Sequence, residues 1–120
     1  MKKILILILI LVCVITLNAQ MVEKNPEFLG GNFSLKEFVV NNIKYPPIAR
    51  ECGIEGIVLV DFIINIDGSV SNVKISHGVS NSINNEALRV IRSLPKWNPA
   101  LVGGKAVSVL RTIPIKFQLN

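Results

Sequence analysis

Apolar and polar residues alternate along two stretches of the chain, and a period of two residues predicts β-strands. The first stretch runs from Gly56 to Ile66. The residues predicted to face the core are Val58, Val60, Phe62, Ile64 and Ile66. Asp67-Gly68 then predicts a tight turn into a returning strand. Because Val70 is out of phase with the rest of that strand, we expect a β-bulge near Ser71-Asn72.

The second alternating stretch, from Ala106 to Leu119, predicts the last strand. Arg111 shares the parity of the core-facing residues, so we expect its stem to be buried and its guanidinium to lie at the sheet margin. Pro114 cannot donate a ladder hydrogen bond, and proline is therefore confined to edge strands or bulges. This strand is predicted to lie at an edge. Its core-facing residues are Val107, Val109, Ile113, Ile115, Phe117 and Leu119.

Three segments carry helix signals. Ser34-Leu35-Lys36-Glu37 predicts a capping box that opens the first helix. Pro47 suits the start of a short second helix, Ile48 to Cys52. Ser82 is predicted to cap the third helix, which Pro95 ends. The apolar stripes of the first and third helices are Leu35, Phe38, Val39 and Ile43, and Ile83, Ala87, Leu88, Ile91 and Leu94.

The N-terminus has the layout of a secretory signal peptide. Two lysines precede the apolar run Ile4 to Ile15, and Ala19 precedes the predicted cleavage point. The run is shorter than the roughly 20 residues that span a bilayer. We therefore predict a signal peptide at 1–19, a short lead-in at 20–33, a domain at 34–120 and export to the periplasm or cell envelope. The alternative is an inner-membrane anchor formed by residues 4–17.

Composition narrows the classes of function. With 120 residues, of which 50% are hydrophobic, the chain is one small folded domain. Its 13 basic residues against 8 acidic ones give a net charge of +5, but they are scattered singly, so nucleic-acid binding is not supported. One histidine and two cysteines do not make a zinc cluster. We expect no metal, no cofactor and no enzymatic activity.

Single residues that suggest chemistry have simpler interpretations. Gly103-Gly104-Lys105 lacks the earlier glycine and the following hydroxyl of a phosphate-binding loop, so it predicts a turn. His77 has no acidic neighbour in sequence and is expected at the surface. Trp97 is predicted to fill the core, and Cys52 is predicted to be a small buried residue.

Several motifs, taken together and in order, resemble the TonB C-terminal domain family, in the version common in Bacteroidetes-type envelopes. The resemblance covers almost all of the chain after residue 19. The segments that carry it are Pro26-Glu27-Phe28, Gly30-Gly31, Asn42 to Arg50, Gly53 to Gly56, Asp67 to Val70, Glu86 to Ile91, Pro95 to Pro99, Gly104-Lys105 and Pro114 to Phe117.

The resemblance implies an α+β fold, a three-stranded antiparallel sheet packed against helices. It also implies binding of the TonB box of TonB-dependent outer-membrane receptors, by strand addition to an exposed sheet edge. Force from an inner-membrane motor would then open the receptors for energy-coupled transport. Asn42, three residues before Tyr45-Pro46, is implied to help hold the peptide, and no cofactor is implied.

Strand parity identifies the backbone groups that would pair with the peptide. Pro114 is expected where the backbone points away from the sheet, and alternate residues of a strand point to the same side. The same parity includes Ser108, Leu110 and Thr112, whereas Val109, Arg111 and Ile113 would bond inward. The predicted partner-binding residues are Asn42, Tyr45, Ser108, Leu110 and Thr112.

The sequence leaves two hypotheses of function open. The sequence lacks the long proline-rich spacer of the full transducer, and the lead-in reaches at most about 50 Å when extended. This favours a stand-alone periplasmic TonB-like module, with motor components as partners only if residues 4–17 form an anchor. The second reading is an envelope-structural protein that binds cell-wall glycan or forms a homodimer through its edge strand.

Overall fold

The computed structural model describes residues 22–120, so the predicted signal peptide lies outside the described residues. Within 22–120, none of the helices has the length and apolar character needed to cross a membrane. The helices are α1 (Gly31–Asn42), α2 (Pro47–Glu51) and α3 (Asn81–Arg92). The strands are β1 (Val22–Lys24), β2 (Gly56–Ile64), β3 (Val70–His77), β4 (Ala100–Val102), β5 (Lys105–Val107) and β6 (Val109–Phe117).

The main sheet has three antiparallel strands in the order β3-β2-β6, packed against helices, which confirms the predicted α+β fold. β6 therefore is an edge strand, as Pro114 predicted. The core lies between one face of this sheet and the helices. Its fully or almost fully buried side chains include Val58, Val60, Phe62, Ile64, Ile83, Ala87, Ile91, Ile115 and Phe117.

The β2–β3 hairpin agrees with the prediction from the sequence except at the end of β2. Ile66 is not a core residue: it is 61% exposed, because the turn from Asn65 to Ser69 removes it from the strand alternation. The expected bulge is confirmed. The β2–β3 register shifts between Asp61 and Ile63, and Asn72 adopts a φ of 52°.

Two helices begin earlier than predicted. α1 begins at Gly31, and its N-cap Gly30 has a φ of 87° and makes no side-chain cap. Ser34 thus lies inside the helix, where its hydroxyl donates to the Gly30 carbonyl oxygen, and the capping-box prediction was wrong. The third helix is capped by Ser80 rather than Ser82, since the Ser80 hydroxyl accepts from the backbone N–H of Ile83.

The predicted last strand is two strands, because Ser108 lies between β5 and β6. β5 turns back on β4 through Gly103-Gly104, and β1 pairs with β4 to complete a second small sheet, β1-β4-β5. This sheet is not predicted by the sequence pattern, since its three strands are each only three residues long.

One prediction of burial was wrong. Cys52 is exposed, because it caps the C-terminus of α2, a short helix in which Ala49 is the buried residue. Arg111 is exposed as a whole residue and lies opposite the buried Phe62 in the β2–β6 register, so burial of its stem stays a prediction. Trp97, in contrast, is only 8% exposed, which confirms its place in the core.

Candidate functional site

The outer edge of β6 is the first element of the site. The β2–β6 register is continuous and sets Leu110 opposite Ile63, Thr112 opposite Asp61 and Pro114 opposite Leu59. Antiparallel ladders alternate hydrogen-bonded and non-hydrogen-bonded pairs, and Pro114 has no N–H to give. It follows that Leu110 and Thr112, which share the parity of Pro114, direct their backbone N–H and C=O groups away from β2.

The side chains on this part of β6 leave the edge accessible. Leu110 is 63% exposed, and Ser108, just before the strand, is also exposed. The Thr112 hydroxyl donates to Asp61 Oδ1 at 2.6 Å, on the sheet face that does not pack on the helices. The Thr112 side chain is therefore hydrogen-bonded to its cross-strand neighbour, whereas its outward backbone groups are available to a peptide.

A trench runs along this edge, on the side of the sheet that faces α1. One cavity of about 410 Å³ lies between α1 and the second half of β6. An adjoining cavity of about 370 Å³ lies beside the middle of β6. Both are lined by Leu35 and Ile113, so they form one trench. The first is mainly apolar, with Val39, Val40, Ile43, Pro114 and Ile115 among its lining residues, and the second is mixed, with Asn25, Glu27, Phe62, Trp97, Arg111 and Thr112.

Tyr45 lies beside the far end of β6 and serves the packing there. Its ring meets Phe117 edge-on with centroids 5.8 Å apart, and the Arg50 guanidinium lies 5.2 Å from the ring centroid. Its hydroxyl donates to the Ile54 carbonyl oxygen. Burial, together with the nearby charge of Glu55, raises the pKa of the Tyr45 phenol above its usual value, so Tyr45 is neutral at physiological pH.

Asn42 is the last residue of α1 and is exposed. Its side-chain Nδ2 donates to the Phe38 carbonyl oxygen at 2.7 Å, one turn back in the same helix. The next residue, Ile43, lines the apolar end of the trench. The structure thus brings Leu110 and Thr112 together on the first half of β6, whereas Asn42 and Tyr45 lie near its second half.

An ion pair on α3 fixes the chain between α1 and α2. Arg89 Nε lies 2.6 Å from Glu86 Oε1, and Arg89 Nη2 donates to the Asn42 carbonyl oxygen at 2.7 Å. Glu86 Oε2 accepts the backbone N–H of Lys44 at 2.5 Å. The hydrogen bonds from Arg89 hold the pKa of the Glu86 carboxyl below its usual value. We call Glu86 and Arg89 the α3 clamp; its backbone targets on Lys44 and Asn42 are 42 and 47 residues away in sequence, so the local sequence did not predict these contacts.

The comparisons with known proteins agree with this architecture. Residues 41–119 match the family described as the C-terminal region of the Gram-negative bacterial TonB protein. The chain belongs to the TonB C-terminal domain family, as the resemblance implied. This is a family of envelope-associated energy transducers for transport and not a known family of enzymes.

Individual relatives support the same assignment. Protein TonB of Helicobacter pylori is 45% identical over 78 residues, which are 64% of this chain and 26% of that protein. Protein TonB of Xanthomonas campestris is 27% identical over 93 residues, 77% of this chain and 41% of that protein. The solution structure of the Helicobacter pylori TonB C-terminal domain has a TM-score of 0.55 and 32% identity, over 71% of this chain and 77% of that one.

The extent of the similarity to these proteins bears on the site in two ways. The chain corresponds to well under half the length of these two curated relatives. The family match also begins at residue 41, so β1, the strand-like segment around Glu27 and most of α1 lie outside it. The wall of the trench opposite β6, formed by α1 and residues 25–27, therefore lies largely outside the matched region.

Proposed function

We propose that this protein is a periplasmic TonB-like module that binds the TonB box of outer-membrane receptors by strand addition to β6, in energy-coupled transport across the outer membrane. The observation that carries the proposal is the open edge of β6 beside a trench. Membership of the TonB C-terminal domain family supports it. In this proposal the receptor peptide pairs with the outward backbone groups of Leu110 and Thr112, and with Ser108 at the entrance.

The energetics of such pairing are adequate for a transient complex. Each backbone hydrogen bond contributes about 0.5–1.5 kcal/mol net, so the few bonds available before Pro114 supply several kcal/mol. Pro114 offers no N–H, and the peptide loses a bond there. Beyond that point, affinity must come from side chains in the trench, where the lining is mainly apolar.

Asn42 and Tyr45 have different parts in the proposal. Asn42 is exposed at the end of α1, next to the trench residue Ile43, so it can contact the end of a bound peptide. Tyr45 packs on Phe117 and donates to Ile54, so its contribution is to hold the second half of β6 in place. The α3 clamp holds Asn42 through its carbonyl oxygen.

A pull-down from solubilised cell envelope tests the proposal. The tagged protein should enrich outer-membrane receptors, identified by mass spectrometry. Leu110→Pro is the matched control, because it places a second proline at the parity of Pro114 and should retain the fold while losing the receptors. Recovery of cell-wall glycan alone, or of a second copy of the chain alone, would contradict receptor binding and favour an envelope-structural role.

A further inference from the structure

The cavity of about 410 Å³ between α1 and the second half of β6 has an apolar floor that the protein itself leaves partly uncovered. We call this cavity the α1 groove. The half-buried residues that line it and also pack against the core are Leu35, Val39, Ile43 and Ile113. Val40, which lines the same wall, is 62% exposed. Concave sites of about 300–1,000 Å³ with a mainly hydrophobic lining are typical sites for small ligands.

The charges that line the α1 groove are positive. Lys36 lies on the α1 wall and Lys116 on the β6 wall, and none of the described lining residues is acidic. Both lysines are exposed, and neither has an ion-pair partner within residues 22–120. A lysine stem can lie along apolar surface while its ammonium stays in water, so both cations can reach the rim. The groove therefore combines an aliphatic floor with a positive rim.

The length of the α1 groove suits one extended hydrocarbon chain. From Leu35 to Ile43, the α1 wall is about 12 Å long at the helical rise of about 1.5 Å per residue. An extended chain of about ten carbons has a similar length, at roughly 1.3 Å of advance for each bond of about 1.5 Å. Removing each methylene of such a chain from water is favourable, and it also covers the exposed Val40. An unbranched chain with a negative head therefore matches both the floor and the rim.

We propose that the α1 groove binds a medium-chain fatty acid, with its alkyl chain along the apolar wall of α1 and its carboxylate at the lysine rim. The chain displaces water from the floor, and the carboxylate is attracted by Lys36 and Lys116. This binding requires none of the outward backbone groups of β6. The inference therefore goes beyond the proposed function and does not depend on strand addition.

Probes of one chain length and different head charge test the proposal. Decanoate, decan-1-ol and decylammonium are titrated into the protein at pH 7 and followed by NMR. Decanoate should cause saturable shifts at Leu35, Val39, Val40 and Ile113. Because ion pairs of exposed lysines are weak, we expect decanoate to bind only about fivefold more tightly than decan-1-ol, and decylammonium to bind more weakly than either. Decanoyl lysophosphatidylglycerol separates a lipid headgroup from a free carboxylate and should bind no more tightly than decanoate.

Variants separate the groove from general charge attraction. Combining Lys36→Gln with Lys116→Gln should reduce the affinity for decanoate to that for decan-1-ol, whereas Lys74→Gln, on β3, should keep the difference. Val40→Glu should weaken binding of decanoate and strengthen that of decylammonium.

Ile48→Glu is the matched control for Val40→Glu, since Ile48 is 67% exposed on α2 and does not line the groove. It should leave both affinities unchanged, and circular dichroism should show that every variant is folded. Equal affinity for the three probes, shifts confined to residues outside the groove, or tighter binding of the lysophospholipid would each overturn the proposal. Recovery of receptors in the pull-down tests strand addition separately, so the failure of one proposal is distinguishable from that of the other.

Discussion

Gly68 and Trp97 pack backbone against backbone. The Trp97 N–H donates to the Gly68 carbonyl oxygen at 2.8 Å, and a Cβ added at Gly68 would lie 2.0 Å from the Trp97 carbonyl oxygen. Gly68 also has a φ of +85°, which L side chains rarely adopt. The β2–β3 turn therefore positions Trp97, which in turn lines the trench.

Gly68→Ala is accordingly expected to destabilise the protein severely, by about 3 kcal/mol or more, because backbone strain and a clash with backbone atoms add together. Gly103→Ala is the matched control, since Gly103 also has a positive φ, +56°, but its added Cβ meets nothing within 4 Å. It should cost only about 1 kcal/mol. Urea denaturation measures both, and equal losses would show that the contact with Trp97 is unimportant.

Trp97→Ala tests whether Trp97 is structural. The ring packs against Phe28 and Phe62, with centroids 5.5 and 5.8 Å away, so its loss should leave a cavity and cost about 3–5 kcal/mol. Thermal and chemical denaturation give the value. An unchanged melting temperature combined with lost peptide binding would instead assign Trp97 entirely to the interface.

The α3 clamp is expected to make the free energy of unfolding depend on pH. The pKa of Glu86 is lowered in the folded protein relative to an unfolded chain, chiefly by the hydrogen bonds from Arg89. A lowered folded pKa adds stability that is present above the unfolded pKa and is lost as the pH falls through the folded one. The free energy of unfolding should therefore decrease as the pH is lowered from 6 to 3.

Glu86→Gln should be less stable than the wild type at pH 6 and lose less on acidification, and Arg89→Gln should behave similarly. Some slope should remain, because hydrogen bonds from Ser69 also lower the pKa of Asp67. Denaturation curves between pH 3 and 6 provide the comparison. A Glu86→Gln protein with the full wild-type slope would exclude the clamp as a source of acid sensitivity.

Processing of the N-terminus can be tested directly. The short apolar run and Ala19 predict cleavage before Gln20. The intact mass of the protein isolated from its native envelope should correspond to residues 20–120, recovered with the periplasmic fraction. A mass that includes residues 1–19, recovered with the inner membrane, would support the anchored alternative and motor components as partners.

The sequence predicted the parts of the fold that depend on long periodic patterns. Each of these patterns depends on a few neighbouring residues only. They are the alternation of apolar residues in β2, the apolar stripe of α3 and the missing N–H of Pro114 in β6. The helix starts at Gly31 and Asn81 were not predicted. Side-chain type favoured Ser34 and Ser82 as caps, whereas the left-handed backbone of Gly30 and the hydroxyl of Ser80 begin the two helices.

The site was less predictable, because it depends on residues far apart in sequence. Parity predicted from Pro114 alone that Leu110 and Thr112 face the outer edge, and their positions in the β2–β6 register share the parity of Pro114. The trench, however, requires α1 to lie along β6, and nothing local in sequence specifies that packing. Arg111 lies opposite Phe62 in the register and lines the trench, a position that its parity alone did not reveal.

The central claim, peptide addition at the outer edge of β6, is tested most directly by two neighbouring proline substitutions. Thr112 has the outward parity of Pro114, and Arg111 has the inward one. We therefore expect Thr112→Pro to fold and to lose binding of the receptor peptide, whereas Arg111→Pro disrupts the β2–β6 ladder and unfolds. Thr112→Val controls for the lost hydrogen bond to Asp61 and should still bind.

The decisive measurement is peptide affinity by isothermal titration calorimetry, alongside circular dichroism of each variant, with a synthetic TonB-box peptide from an outer-membrane receptor recovered in the pull-down. The account predicts a folded Thr112→Pro protein whose affinity is about tenfold weaker than that of Thr112→Val, which corresponds to the loss of one or two backbone bonds of about 0.5–1.5 kcal/mol each. A folded Thr112→Pro protein that binds as tightly as Thr112→Val would contradict strand addition at β6.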